Sequence, residues 1–208
     1  MSALRNRLIL LAGALAASLW VSACNRSAGG DAQGQVVSSG EALVGGPFQL
    51  VDQNGKAIDQ NVLKGKWTAV FFGYTYCPDV CPTTLQALAQ AEAKLGAKAD
   101  KLQVVFISVD PERDTPAQMK TYLSTPAFPR GVIGLTGTPA QVAAAAKAYR
   151  VYYQKDGKGD GYSVAHSSIV YLMNPAGKFE RALTESQTPS EVAAQIGDAM
   201  AFGPKGSA

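Results

Sequence analysis

Three of the four Thr-Pro pairs in the second half of this chain share the form of a helix start, at Thr115-Pro116, Thr138-Pro139 and Thr188-Pro189. A threonine hydroxyl accepts a hydrogen bond from the free N–H groups of a first helical turn. Proline suits the first helical position because it has no N–H to leave unpaired. Each pair therefore predicts a helix start, and Glu191 after Thr188 completes a capping box. Cys81-Pro82 has the same form. It predicts a helix capped by Cys81 and running to about Leu95, with Leu85, Leu88 and Leu95 as its buried stripe and Gly96 as its stop. Between these starts lie apolar runs suited to buried strands, at Trp67–Phe72, Leu102–Val109 and the shorter Val132–Leu135. Strands alternating with helices imply an α/β domain whose central sheet has parallel pairs. Phe48–Ile58 reads as an N-terminal β-hairpin turning at Asn54-Gly55. A second hairpin, Ser168–Met173 with Lys178–Leu183, and a closing helix fit a thioredoxin-like sandwich with a central mixed β-sheet, spanning residues 47–202.

The first residues read as an address. Arg5 and Arg7 precede an apolar run from Leu8 to Ala17, and Val21-Ser22-Ala23-Cys24 follows. A charged segment, an apolar segment and small residues before a cysteine resemble a bacterial lipoprotein signal over 1–23, with Cys24 acylated. A Gly/Ser/Ala/Gln-rich stretch over 24–46 lacks hydrophobic periodicity and reads as a flexible tether, and 203–208 reads as a disordered tail. The expectation is a domain held by lipid on the periplasmic, extracytoplasmic face of a bacterial membrane, where paired thiols can oxidise.

The chemistry is narrowed by two counts, 3 Cys and 1 His in 208 residues. One histidine excludes two-His zinc fingers, two-His blue copper sites, HExxH proteases and a two-His dinuclear copper centre. A net charge of +3 without a basic cluster gives no footprint for nucleic acid. There is no G-x-S-x-G elbow, phosphate-binding loop, G-x-G-x-x-G or C-x-x-C-H haem site, and no peroxiredoxin P-x-x-x-T-x-x-C.

Cys77-Pro78-Asp79-Val80-Cys81-Pro82 puts two thiols where a buried strand passes into a helix. Free N–H groups and the helix dipole favour an anion at such a corner and lower a thiol pKa. Three readings compete: a structural disulfide, a redox-active Cys77/Cys81 pair for thiol-disulfide exchange, or a metal site needing a further ligand. A disulfide across so short a loop would remove little chain entropy. His166, the one imidazole, lies before the late hairpin, in a loop that a thioredoxin-like sandwich brings beside the reactive corner. Two thiolates and one imidazole make a small soft site. Thiolates favour Cu(I), imidazole keeps Cu(II) acceptable, and zinc would ask for a fourth ligand. Copper fits that ligand count best. Asp110 reads either as a strand-end turn residue or as a carboxylate at the rim of the site. Asp114 reads first as the approach to the Thr115 cap and second as a carboxylate near the rim or a partner contact, and Tyr74 and Tyr76 read as walls.

Three segments in order resemble the Sco/SenC family. They are Tyr76-Cys77-Pro78-Asp79-Val80-Cys81-Pro82, Ser108-Val109-Asp110-Pro111-Glu112-Arg113-Asp114-Thr115-Pro116, and His166-Ser167 ahead of Tyr171-Leu172-Met173-Asn174-Pro175-Ala176-Gly177. The resemblance runs from about Gly46 to Ala201. It implies a thioredoxin-fold copper chaperone for cytochrome c oxidase assembly, binding one copper ion, Cu(I) or Cu(II), through Cys77, Cys81 and His166. It implies cytochrome c oxidase subunit II and its CuA site as partner, with Asp110 and Tyr76 as neighbours of the ligands. Other periplasmic copper carriers and thiol-disulfide reductants would be further partners. The alternative is a thiol-disulfide reductase that keeps the CuA cysteines reduced, so enzymatic activity is left open. The family often has an Asp directly before the metal-binding His; here that position is Ala165, which leaves the group that orients the imidazole unassigned.

Overall fold

A computed structural model of the chain describes residues 44–203. The expected signal segment, Cys24, nearly all of the tether and the tail beyond Gly203 lie outside the described residues. Gly45, within the stretch read as tether, already joins the domain, its N–H donating to Ala148 O at 3.0 Å.

Nine strands and four α-helices are present among the described residues. In chain order they are β1 (Gln49–Asp52), β2 (Ala57–Asp59), β3 (Trp67–Gly73), α1 (Val80–Leu95), β4 (Leu102–Ser108), α2 (Pro116–Leu123) and β5 (Ile133–Thr136). Then follow α3 (Pro139–Ala148), β6 (Tyr153–Asp156), β7 (Ser163–His166), β8 (Val170–Met173), β9 (Phe179–Leu183) and α4 (Pro189–Phe202). Seven strands form one mixed sheet in the order β2-β1-β5-β4-β3-β8-β9. The pairs β3/β4 and β4/β5 are parallel, and the rest are antiparallel. The expected N-terminal and late hairpins are β1/β2 and β8/β9, and Gly55 turns the first at φ +81°.

β3 is buried at every residue. A strand covered on both faces cannot alternate with polar residues, which is why Trp67–Gly73 is a continuous apolar run broken only by Thr68. Thr115, Thr138 and Thr188 cap α2, α3 and α4, each threonine side chain accepting from a backbone N–H in the first turn. Thr138 with Gln141 makes a capping box, as Thr188 with Glu191 does. The exception is α1. Its N-cap is Asp79, so Cys81 lies inside the first turn rather than capping it, and Gly96 ends the helix at φ +55°. The hydroxyl analogy fails because the sulfur is turned to the protein interior, with Cys81 fully buried.

One element was not expected. The glycine-rich segment around Gly157–Gly161 connects two strands, β6 and β7, in an antiparallel ribbon outside the main sheet. His166 is the last residue of β7, paired with Tyr153, rather than part of a loop. No helix among the described residues is long and apolar enough to cross a membrane.

Candidate metal centre

The C-terminal end of β3 delivers Gly73 and the Tyr74–Asp79 turn to the first turn of α1. Cys77 N–H donates to Tyr74 O at 3.2 Å, closing the turn. Cys81 N–H then points at Cys77 Sγ, 3.4 Å away. Four N–H groups at a helix start have no partner within the helix, so a sulfur anion there meets a ready donor and the positive end of the dipole. This arrangement leaves no room for a side chain at Gly73: a Cβ built on it would lie 2.7 Å from Cys81 Sγ and 2.9 Å from the Phe106 ring.

His166 reaches the same spot from β7. Its Nε2 lies 3.4 Å from Cys81 Sγ, across 85 positions of sequence. The ligand atoms of Cys77, Cys81 and His166 all lie within 4.8 Å of one another. The ring Nδ1 is 3.0 Å from Ser167 O. A carbonyl only accepts, so Nδ1 carries the proton, which leaves the Nε2 lone pair of the neutral ring facing the sulfurs. Ala165 is exposed on the opposite side of the ribbon, and a backbone carbonyl orients the imidazole. Phe71 and Tyr74 pack edge-on against the imidazole, at 6.2 and 5.8 Å between ring centres.

The two thiols differ in kind. Cys77 is partly exposed and Cys81 is fully buried. A hydrogen bond from the Cys81 thiol is the largest influence on Cys77, with His166 and the N–H groups of Asp79 and Cys81 adding to it; together they bring its pKa from 9.0 down to about 3. Cys81 moves far the other way, because it serves as donor to that thiolate and is buried. Burial works against a charged imidazole, yet the Cys77 thiolate and the Ser167 carbonyl hold the His166 pKa above its ordinary value. The site is thus one thiolate, one thiol and one imidazole sharing a small volume.

Asp114, read chiefly as the approach to a helix cap, is fully buried beneath the cysteine turn. Its carboxylate accepts from Thr75 N–H at 3.2 Å, Thr75 Oγ1 at 2.7 Å and Ser108 Oγ at 2.6 Å. It ties the turn to the end of β4. Asp110 is also buried, accepting from Tyr162 OH at 2.6 Å and Arg113 Nε at 2.5 Å. Tyr76 is half exposed, with its ring 4.7 Å from the Arg113 guanidinium carbon. Arg113, Tyr162 and the Ser167 carbonyl were not singled out from sequence. Arg113 sits between the two aspartates that were, and an arginine between two carboxylates is a signal for a local ion pair.

Residues 36–201 match the family model described as SCO1/SenC. Protein SCO1 homolog 1, mitochondrial, of Arabidopsis thaliana is 46% identical over 144 residues, 68% of this chain and 42% of the relative. Protein SCO2, mitochondrial, of Saccharomyces cerevisiae is 45% identical over 148 residues, 69% and 48%. The chain thus spans a little under half the length of these two relatives. Among solved structures, ScoI of Bradyrhizobium japonicum with copper bound superposes with a TM-score of 0.67 at 50% identity, over 74% of this chain and 97% of that one. BsSco, described as a Sco-family cytochrome c oxidase assembly protein with a disulfide switch, superposes with a TM-score of 0.59 at 26% identity, over 74% and 91%. The family match takes in the sheet, the cysteine turn and the ribbon bearing His166, and the chain belongs to the SCO1/SenC family.

Proposed function

We propose that this domain is a copper chaperone in cytochrome c oxidase assembly that carries one Cu(I) or Cu(II) ion on Cys77 Sγ, Cys81 Sγ and His166 Nε2. The observation that carries the reading is the convergence of these three soft donor atoms within 4.8 Å. The donor set suits copper: two sulfurs for Cu(I), and an imidazole lone pair that extends the site to Cu(II). The copper-bound structure of a relative 50% identical to this chain supports the choice of metal. Cys77 is already anionic and accessible, so it is the first donor an arriving ion meets. Cys81 gives up its proton as the ion settles, which makes loading favourable at higher pH and couples it to thiol oxidation state. Because Cys77 is partly exposed, an incoming ligand can approach the ion from that side and take it by exchange.

The finer reading rests on the sequence. Val21-Ser22-Ala23-Cys24 supports a lipid anchor at Cys24, and the tether would let the domain reach a membrane-bound partner on the periplasmic face. The CuA site of subunit II is the recipient we propose, with other periplasmic copper carriers as donors.

A second reading, thiol-disulfide reduction, is favoured by one observation: an accessible thiolate at Cys77 beside a buried thiol at Cys81. Cys77 would attack a partner disulfide, and Cys81 would then displace the partner thiolate. The partner leaves as a dithiol and Cys77–Cys81 remains as the disulfide. His166→Ala separates the two. Copper titration of the reduced variant should show weaker binding, above all of Cu(II), with loss of the thiolate-to-Cu(II) charge-transfer band given by the wild type. If the reduced wild type holds copper no better than an exposed dithiol, and the variant reduces disulfides at the wild-type rate, the chaperone reading falls and the reductase reading stands.

A further inference from the structure

The sulfur and nitrogen sides of this site are mounted differently. Cys77 and Cys81 follow β3, which is hydrogen-bonded to neighbours on both sides. His166 ends a two-stranded ribbon that shares no strand pairing with that sheet. A lone two-stranded ribbon is marginal in water, so something beyond its own ladder must fix its position. Its apolar residues Tyr162 and Val164 are buried against the core, but apolar packing has no direction and does not set register alone.

The directional contacts come from the turn after β4. Asp110 accepts from Tyr162 OH at 2.6 Å and from Arg113 Nε at 2.5 Å. Arg113 Nη1 donates to Tyr162 O at 3.0 Å, and its guanidinium carbon lies 3.5 Å from the centre of the Tyr162 ring. The same guanidinium faces Tyr76 at 4.7 Å and Tyr74 at 5.8 Å, on the turn that carries Cys77. Tyr74 OH in turn accepts from Val164 N–H at 3.3 Å. One planar cation therefore touches both the cysteine turn and the ribbon, and one carboxylate holds both that cation and the ribbon's tyrosine. Asp110 is buried at 4% exposure and Arg113 is partly buried at 14%, and away from open solvent the best-attested use of an ion pair is to specify an arrangement rather than to add stability.

We infer that Asp110, Arg113 and Tyr162 form a clasp that positions His166 over the cysteine pair, so that the imidazole joins the site only while the clasp is closed. They are positioning residues, acting through the ribbon and not on the ion. The inference rests on the copper-binding reading for its consequence, but the placement of the ring does not, and the test keeps the two apart.

The chain has one histidine, so its imidazole gives a single set of NMR signals and a single site for diethylpyrocarbonate. Reduced, metal-free wild type, Arg113→Ala, Arg113→Lys and Tyr162→Phe are compared. In Arg113→Ala the ring signals should move toward free histidine and carbethoxylation should quicken by about tenfold or more, while β3 and β4 amide signals stay in place. Cu(II) affinity should then fall by about 10–100-fold, the range for loss of a group that orients a ligand. Cu(I), held mainly by sulfur, should lose much less. Arg113→Lys should recover part of both effects, since a lysine keeps the charge but not the planar fork. Tyr162→Phe removes one hydroxyl and should shift the ring signals in the same direction by less, which preserves the test if Arg113→Ala does not fold. Unchanged ring signals and carbethoxylation rates in both Arg113→Ala and Tyr162→Phe would overturn the clasp. If the ring is released in Arg113→Ala while wild type binds no copper, the clasp stands and the chaperone reading fails.

Discussion

The cysteine corner and the histidine ribbon are built on opposite terms. The corner is a product of backbone hydrogen bonding: a buried parallel strand runs into a helix, and the first helical turn lends an N–H to Cys77 Sγ. The ribbon is placed by side chains: an aspartate, an arginine and two tyrosines from two other segments, meeting its own Tyr162. Backbone ladders are cooperative and hard to alter one bond at a time. Side-chain contacts can be removed singly. The sulfur half of the site should therefore resist substitutions that displace the imidazole, and the thiolate chemistry should survive without it.

The largest effect expected from this contrast is a pH profile. With a pKa brought from 9.0 to about 3, Cys77 should react with iodoacetamide at nearly constant rate from pH 8 to about pH 4, in reduced protein. Because the first cause is Cys81 and not His166, His166→Ala should keep most of this profile. A rate falling about tenfold per pH unit below pH 8 would break the contrast, since an ordinary thiol does that. The same shift has a sign for stability. The folded pKa lies below the unfolded one, so this group's contribution to native stability declines as pH falls from 9 toward 3, while above pH 9 the raised pKa of its partner Cys81 works against it.

Asp114→Ala should come next. It leaves Thr75 N–H, Thr75 Oγ1 and Ser108 Oγ buried without their acceptor, at a cost of about 3 kcal/mol in urea unfolding. A loss below about 1 kcal/mol would mean that the cysteine turn does not depend on this carboxylate. Gly73→Ala should cost about 2 kcal/mol, because the new methyl meets Cys81 Sγ at 2.7 Å and Phe106 at 2.9 Å inside a packed core. Its diagnostic is a change in Cys81 environment, read as altered copper charge-transfer intensity, with His166 NMR signals moving less than in Arg113→Ala because the ribbon contacts are intact. The smallest effect is reserved for Ala165→Asp. This position is exposed and the imidazole is already oriented by Ser167 O, so stability should stay within about 0.5 kcal/mol. A clear gain in Cu(II) affinity there would show that the backbone carbonyl is an incomplete substitute for a carboxylate.

Much of this was legible in sequence because it is local. Thr-Pro pairs cap helices through contacts three residues away, and a fully buried strand advertises itself as an apolar run. The β6/β7 ribbon was not legible: Tyr153–Asp156 is polar and largely exposed, with too little apolar alternation to mark a strand. The cap was placed two residues late, at Cys81 and not Asp79, because the Cys81-Pro82 dipeptide resembles Thr-Pro, while a buried sulfur has no reason to face the helix start. The cysteine pair announced itself by spacing, whereas His166 depends on contacts such as Tyr162 to Asp110, 52 positions apart. The role of Asp114 was hidden for the same reason: its partner Thr75 lies 39 positions earlier.

The account stands on two sulfurs and one ring nitrogen sharing a single ion. X-ray absorption of the Cu(I)-loaded protein, recorded for wild type and His166→Ala, measures this directly. The account predicts two sulfur neighbours and one nitrogen in wild type, with the imidazole scattering absent from the variant. Two sulfurs with no imidazole scattering in either protein would contradict it.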